Sequence, residues 1–166
     1  INPLVLDVAR RHFRFLSGCR GTCDIALGDA RLSLEREKPQ GFDVLAVDAF
    51  SGDSIPVHLL TKEAFELYFR HLKPEGILAV HVSNKHLKLP PVVERIATSL
   101  GLVTLEIDNE SIDDMQVFES DWVLVARPKN PTLELPLVQS AGKPVAPRTE
   151  LRVWTDDYSN LFQIWK

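Results

Sequence analysis

The 166 residues carry a formal net charge of −4, with 45% apolar and 25% charged side chains, the balance of an ordinary globular chain with enough length for one domain and its core. Lys and Arg are scattered, which argues against a nucleic-acid partner, because phosphate recognition needs a clustered basic face. No apolar run nears the ~18 residues of a membrane helix and nothing has the form of a secretory signal, so this segment is expected to make no membrane contact and to work in the cytoplasm.

The chain opens "INPLVLDVARRHFRFL", without a methionine and already inside a pattern, and reads as part of something longer. Pro3 suits a first helical turn. Leu4, Val5, Val8, Phe13 and Leu16 recur at helical spacing with Asp7, Arg10, Arg11 and Arg14 outside, which predicts a helix over 3–16. In "CRGTC", Cys19 and Cys23 read as free thiols in a reducing compartment. No further Cys or His cluster has ligand spacing, so no metal is expected. "CDIALGDA" is predicted as a short strand ending at Gly28-Asp29, and "ARLSLEREK" as a short helix closed by Pro39, Gln40 and Gly41.

"FDVLAVDAF" is the next predicted strand. "VHLLTKEAFELYFRHL" reads as a helix, with Thr61 as a cap and Ala64, Phe65, Leu67, Tyr68 and Leu72 in helical repeat. "KPEG" is predicted as a turn and "ILAVHVSN" as a buried strand. "PPVVERIATSLG" is a helix opened by proline and closed by Gly101. "LVTLEID" and "DWVLVARP" are two further strands, separated by "NESIDDMQVFES". The proline-rich stretch 129–148 reads as loop, and the chain closes with "LRVWTDDYSNLFQIWK". Residues 1–128 are thus expected to form the domain, with 129–166 as a connection and tail packed on it.

Helices and strands alternate up to Gly101, and the strands are continuously apolar. That predicts an α/β fold with a mainly parallel sheet covered on both faces. The last two strands have no helix between them and are expected to pair antiparallel at one edge. His12, His58, His71, His81 and His86 show no ligand spacing and read as surface or packing residues.

In open parallel sheets, ligands bind beyond the carboxyl ends of the strands. Asp29, Asp48 and then Ser83 with Asn84 stand at three such ends. An Asp in that place is often only a cap or turn residue, but three consecutive polar strand ends argue for a site.

"LGDARLSLE", "FDVLAVDAFSGDSIPVHLLTKEAFELYFRHLKPEGILAVHVSN" and "TDDYSNLF" resemble the bacterial spermidine synthase-like proteins. Those are aminopropyltransferases with the Rossmann-like fold of adenosylmethionine-dependent methyltransferases, and the resemblance covers residues 1 to about 127 and the tail. It implies an aminopropyl transfer from decarboxylated S-adenosylmethionine, a co-substrate rather than a resident cofactor, to a polyamine such as putrescine, releasing methylthioadenosine. By the same resemblance, Asp29 with Ala30 holds the adenine ring and Asp48 is the catalytic aspartate that takes the amine's proton. Asp53 is the second carboxylate that holds the cationic amine. Asp156, Asp157 and Tyr158 would line the same acidic mouth, and a homo-oligomer is expected. The residue types suit the chemistry. A diamine is doubly cationic near neutral pH and must lose a proton on attack, while a sulfonium leaving group leaves mostly positioning to the protein.

The chain departs from the family in two ways. Asp48 and Asp53 stand five positions apart, more than in the family's usual loop. No G-x-G-x-x-G-like segment exists, so half of the nucleoside site and the first two strands are expected to be missing, making this chain an N-terminally truncated form with weak or no activity of its own. In the family's strand order 3-2-1-4-5-7-6, "CDIALGD" and "DVLAVD" would then either pair directly across "ARLSLEREK" or be closed by a second copy. A methyltransferase of the same fold, or a non-catalytic fragment that self-associates, are the other two readings.

Overall fold

The computed structural model describes residues 2–49, 56–109 and 119–166, and the chain divides into two compact units, Ile1–Lys38 and Pro39–Lys166. Residues 129–166 belong to the second unit.

In the first unit, α1 (Pro3–His12) is capped by Asn2, whose side chain accepts from the Leu4 amide at 2.9 Å, and carries Arg10, Arg11 and His12 in its last turn, where cations complement the helix dipole. It is shorter than the expected 3–16. Phe13 is extended, and its ring packs on Phe15 with centroids 6.0 Å apart, a contact between positions that a helix would turn away from each other. α2 (Ala30–Arg36) forms as expected, with Asp29 as its cap. The strand predicted at "CDIALGDA" is not formed. A strand exists only through the ladder to its neighbour, and among the described residues nothing pairs with 23–28. No residue of α1 or α2 is buried.

The second unit contains β1 (Phe42–Val47), α3 (Lys62–His71), β2 (Leu72–His81), α4 (Pro90–Ser99), β3 (Val103–Asn109), β4 (Ser120–Ala126), α5 (Pro136–Ala141) and β5 (Gly142–Lys143). These strands form a five-stranded sheet in the order β1-β2-β4-β3-β5. Its first four places reproduce the 4-5-7-6 half of the methyltransferase-type order, and the fold is α/β and Rossmann-like. The parallel share is smaller than expected. β1–β2 is the one parallel ladder among the described residues, and the other three are antiparallel. The β2–α4–β3 crossover leaves one place open beside β2, and β4 runs back into it, so the expected antiparallel pair is joined to β2 rather than appended outside. Among the described residues "CDIALGD" forms no ladder, and β1 is the terminal strand of the sheet.

The core lies under α3 and α4. Phe65, Tyr68, Val93 and Ile96 are buried against Leu78, Val80, Val123 and Val125. Side chains alternate along strands, and Ile77 and Ala126, from the other parity, form a second cluster with Leu133 from the stretch after β4. The expected loop over 129–148 therefore contains α5 and β5 and covers a face of the sheet.

"KPEG" is not a free-standing turn. α3 passes directly into β2, and the four residues bulge from that strand, so that Phe42 and Val44 of β1 face Leu72 and Ile77. The carbonyls of the bulge, and one from the last turn of α3, are met from the far end of β4. The Arg127 guanidinium donates to Lys73 O at 2.9 Å and to Phe69 O at 3.0 Å, and Asn130 Nδ2 donates to Glu75 O at 3.0 Å. Gly76 is required there, since a Cβ would lie 2.8 Å from Phe42 O.

Candidate active site

Asp48 is the first residue past β1, and His81 is the last of β2. Val47 and Val80 are register partners in the parallel ladder, so the next residues of both strands fall side by side on one face. His81 Nδ1 lies 2.8 Å from Asp48 Oδ1, and His81 Nε2 lies 2.8 Å from Ser83 Oγ. Ser83 Oγ in turn accepts from the Asp121 amide at 2.7 Å. The imidazole stacks on Trp122, its register partner on β4, at 4.9 Å between centroids and 25° between planes. The Asp48 side chain remains 59% exposed and that of His81 21%, so the carboxylate is reachable and the imidazole is mostly enclosed. A small, mainly apolar hollow lined by Val47, Ala49, Pro56, Leu59, Leu60 and His81 lies beside them.

α3 returns from the carboxyl end of β1, so its first turn stands at the same edge. Thr61 caps it, accepting from the Ala64 amide at 3.2 Å and donating to Asp156 Oδ1 at 2.8 Å. The Asp156 amide donates to Glu63 at 3.0 Å, and the Lys62 amide to Trp154 O at 2.9 Å. Farther along, the Lys88 amide donates to Ile164 O at 2.7 Å. Both anchorages, the start of α3 and the segment after β2, belong to the carboxyl end of the sheet, and the tail runs along it. Asp157 is exposed on the tight turn closed by Thr155 and Tyr158, and the Arg152 guanidinium lies over the Tyr158 ring at 4.1 Å. Asn84 accepts from the amides of His86 and Leu87, both at 2.9 Å, and shapes the turn after β2.

Asp29, in the first unit, caps α2 by accepting from the Leu32 amide at 2.9 Å, and Ala30 is the first residue of that helix. Asp53 falls outside the described residues. His81, read from sequence as a surface or packing residue, joins Asp48 instead. Its signal in the sequence was the ladder register, together with a hydroxyl two positions on.

A second acidic group lies across β3 and β4. Burial pushes the carboxyls of Glu106 and Asp121 above their ordinary values, while the Lys143 ammonium, 3.0 Å from Asp108, holds that carboxyl below its own. Among the described residues no group of three or more His, Cys, Asp or Glu is arranged to hold a metal ion, and no helix is long and apolar enough to cross a membrane.

No family model matches the chain. Over 83 residues it is 34% identical to the polyamine aminopropyltransferase of Vibrio vulnificus, a stretch that is 49% of this chain and 27% of that relative. Its fold is similar to that of the spermidine synthase from Thermotoga maritima, with a TM-score of 0.56 and 15% identity, covering 90% of this chain and 52% of the other. It is also similar to a probable spermidine synthase from Corynebacterium glutamicum, with a TM-score of 0.52 and 18% identity, covering 82% of this chain and 55% of the other. The chain thus spans about half the length of those solved proteins and about a quarter of the curated relative.

Proposed function

The chain being spermidine synthase-like in fold and over a stretch of sequence, we propose that it supplies the amine-activating part of an aminopropyltransferase. The observation that carries the reading is the exposed Asp48 carboxylate at the end of β1, hydrogen-bonded at 2.8 Å to a ring that is itself held on its other side. A general base has to be both accessible and oriented, and Asp48 is both. The donor is decarboxylated S-adenosylmethionine and the acceptor a polyamine such as putrescine. The amine nitrogen attacks the aminopropyl carbon beside the sulfonium, the new C–N bond replaces the C–S bond, and methylthioadenosine leaves with the sulfur's electron pair. The nitrogen's surplus proton passes to Asp48.

Asp53 and the tail residues Asp157 and Tyr158 are assigned to the cationic amine. Asp156, already bonded to Thr61, adds negative charge at the same edge. Asp29 and Ala30 are assigned to the adenine ring, a role compatible with capping because a carboxylate has acceptor sites for several donors. A homo-oligomeric cytoplasmic enzyme belongs to the same proposal. A methyltransferase would use the same fold with ordinary adenosylmethionine. The test offers decarboxylated and ordinary adenosylmethionine, each labelled on the transferable group, together with putrescine. Label in spermidine from the decarboxylated donor alone supports the proposal. Methyl transfer from the ordinary donor overturns it.

A further inference from the structure

We infer that His81 is the positioning residue for Asp48, and that it is fixed in turn by Ser83 and Trp122. The inference rests on the reading of Asp48 as the base. An exposed aspartate at a strand end has several staggered rotamers open to it, and a base that wanders among them loses the alignment on which proton transfer depends. His81 removes that freedom, because its Nδ1 is hydrogen-bonded to Asp48 Oδ1.

The direction of the chain follows from the donors available. Ser83 Oγ accepts the Asp121 N–H. The Asp48 carboxylate only accepts, so His81 Nδ1 is the donor to it, and Nε2 of the neutral ring then accepts the Ser83 hydroxyl proton from 2.8 Å away. A ring that accepts at Nε2 carries its proton on Nδ1 and donates it to Asp48. In the doubly protonated ring Nδ1 still donates, so the contact to Asp48 keeps its sense in both charge states. The main-chain amide of β4 thus orients a hydroxyl, the hydroxyl a ring, and the ring a carboxylate. Trp122 closes the face of the imidazole, which leaves little room for a ring flip. The series Asp48–His81–Ser83 has the composition of a hydrolase triad, but a triad's carboxylate is buried, whereas here the carboxylate is the exposed end of the series and Ser83 is the end tied to the main chain of β4.

The test reads Asp48 and His81 directly by NMR on this chain, alongside His81→Leu, His81→Gln and Ser83→Ala, each checked for unchanged thermal unfolding and β3–β4 amide shifts. Expected are ring ¹⁵N shifts showing a proton on Nδ1 of His81, and three-bond couplings showing one Asp48 χ1 rotamer. That rotamer should become averaged in His81→Leu and be restored in His81→Gln, whose amide N–H can still donate. Ser83→Ala should shift Nε2. An Asp48 side chain that is averaged in the parent chain, or unaffected by His81→Leu, overturns the inference. None of these readouts involves transfer activity, so a failure of the aminopropyltransferase reading would show separately, as an Asp48 that is held in place but dispensable for turnover.

Discussion

Asp48 Oδ1 and His81 Nδ1 stand 2.8 Å apart at the adjacent ends of two parallel strands, a pairing that follows from the Val47–Val80 register one residue earlier. The carboxylate is therefore delivered by the sheet and oriented by its neighbour, while the other residues of the proposed acceptor site come from separate segments. Orientation and cation binding should then be separable by mutation.

In a protein active in transfer, Asp48→Asn removes the base without changing shape. Turnover should fall by roughly 10²-fold or more, the usual contribution of a general base, with donor binding almost unchanged. Asp53→Ala removes charge but no base, and should raise the KM for the amine more than that for the donor. Initial-rate kinetics with both substrates varied checks the pair. Near-normal turnover in Asp48→Asn removes it from the mechanism, and an unchanged amine KM in Asp53→Ala leaves that residue without a part in recognition.

Gly76 concerns the fold that holds these strands. A Cβ there would meet Phe42 O at 2.8 Å and Leu72 side-chain atoms from 3.0 Å, so the two strands must separate or the bulge must shift. Gly76→Ala should destabilise by roughly 1–3 kcal/mol, the usual cost of overpacking, lowering Tm by about 2–4 °C for each kcal/mol in a chain of this size. Gly21→Ala, with nothing within 4 Å of the added carbon, is the control and should leave Tm unmoved. Equal melting of the two variants would mean that the bulge yields freely.

Local pattern placed β1, α3, α4, β3 and β4, because their cores and caps lie within a few residues of one another, as with Thr61 and Ala64. Non-local partners decided the rest. "CDIALGDA" has the apolar run of a strand but no ladder. "KPEG" has turn composition, yet it is held in β2 by Arg127 and Asn130, which arrive more than fifty residues later. His81 reads as a surface or packing residue because nothing within its own segment shows that Asp48 is its lateral neighbour. The place of Asp48 at a strand end was legible; its neighbour across the ladder was not.

Lys143 gives the acidic group on β3 and β4 a pH signature. Its hydrogen bond is the main reason Asp108 is held low, so Asp108 stabilises the fold above the ordinary carboxylate range and that contribution is lost as pH falls through its depressed value. Glu106 and Asp121 run the other way. Burial raises both, so each costs stability as pH climbs from the ordinary carboxylate value through the raised one. Lys143, whose own value is raised chiefly by the bond to Asp108, is charged across that window and offsets the cost. Lys143→Met should therefore lower the unfolding midpoint more at pH 7 than at pH 4, and high salt should narrow the difference. The same loss at both pH values would show that Lys143 acts only through packing.

Among the described residues the sheet ends at β1, where Val44 is 61% exposed and Phe42 37%. A terminal strand presents a row of unpaired N–H and C=O groups, and an exposed apolar side chain on it favours addition of another strand. Nothing among the described residues blunts that edge with a proline, while Lys73 with Asp43, 2.7 Å apart, places charge only at its beginning. The isolated 166-residue chain should therefore self-associate through β1. Sedimentation equilibrium should show a mass that rises with concentration, and Val44→Lys should move the chain toward monomer, since a charge on an edge strand opposes pairing. A clean monomer for the unaltered chain over a wide concentration range would remove β1 as an association surface. An oligomer that Val44→Lys leaves intact would place the contact elsewhere, with the exposed apolar residues of α1, Leu4, Val5 and Val8, as the next to substitute.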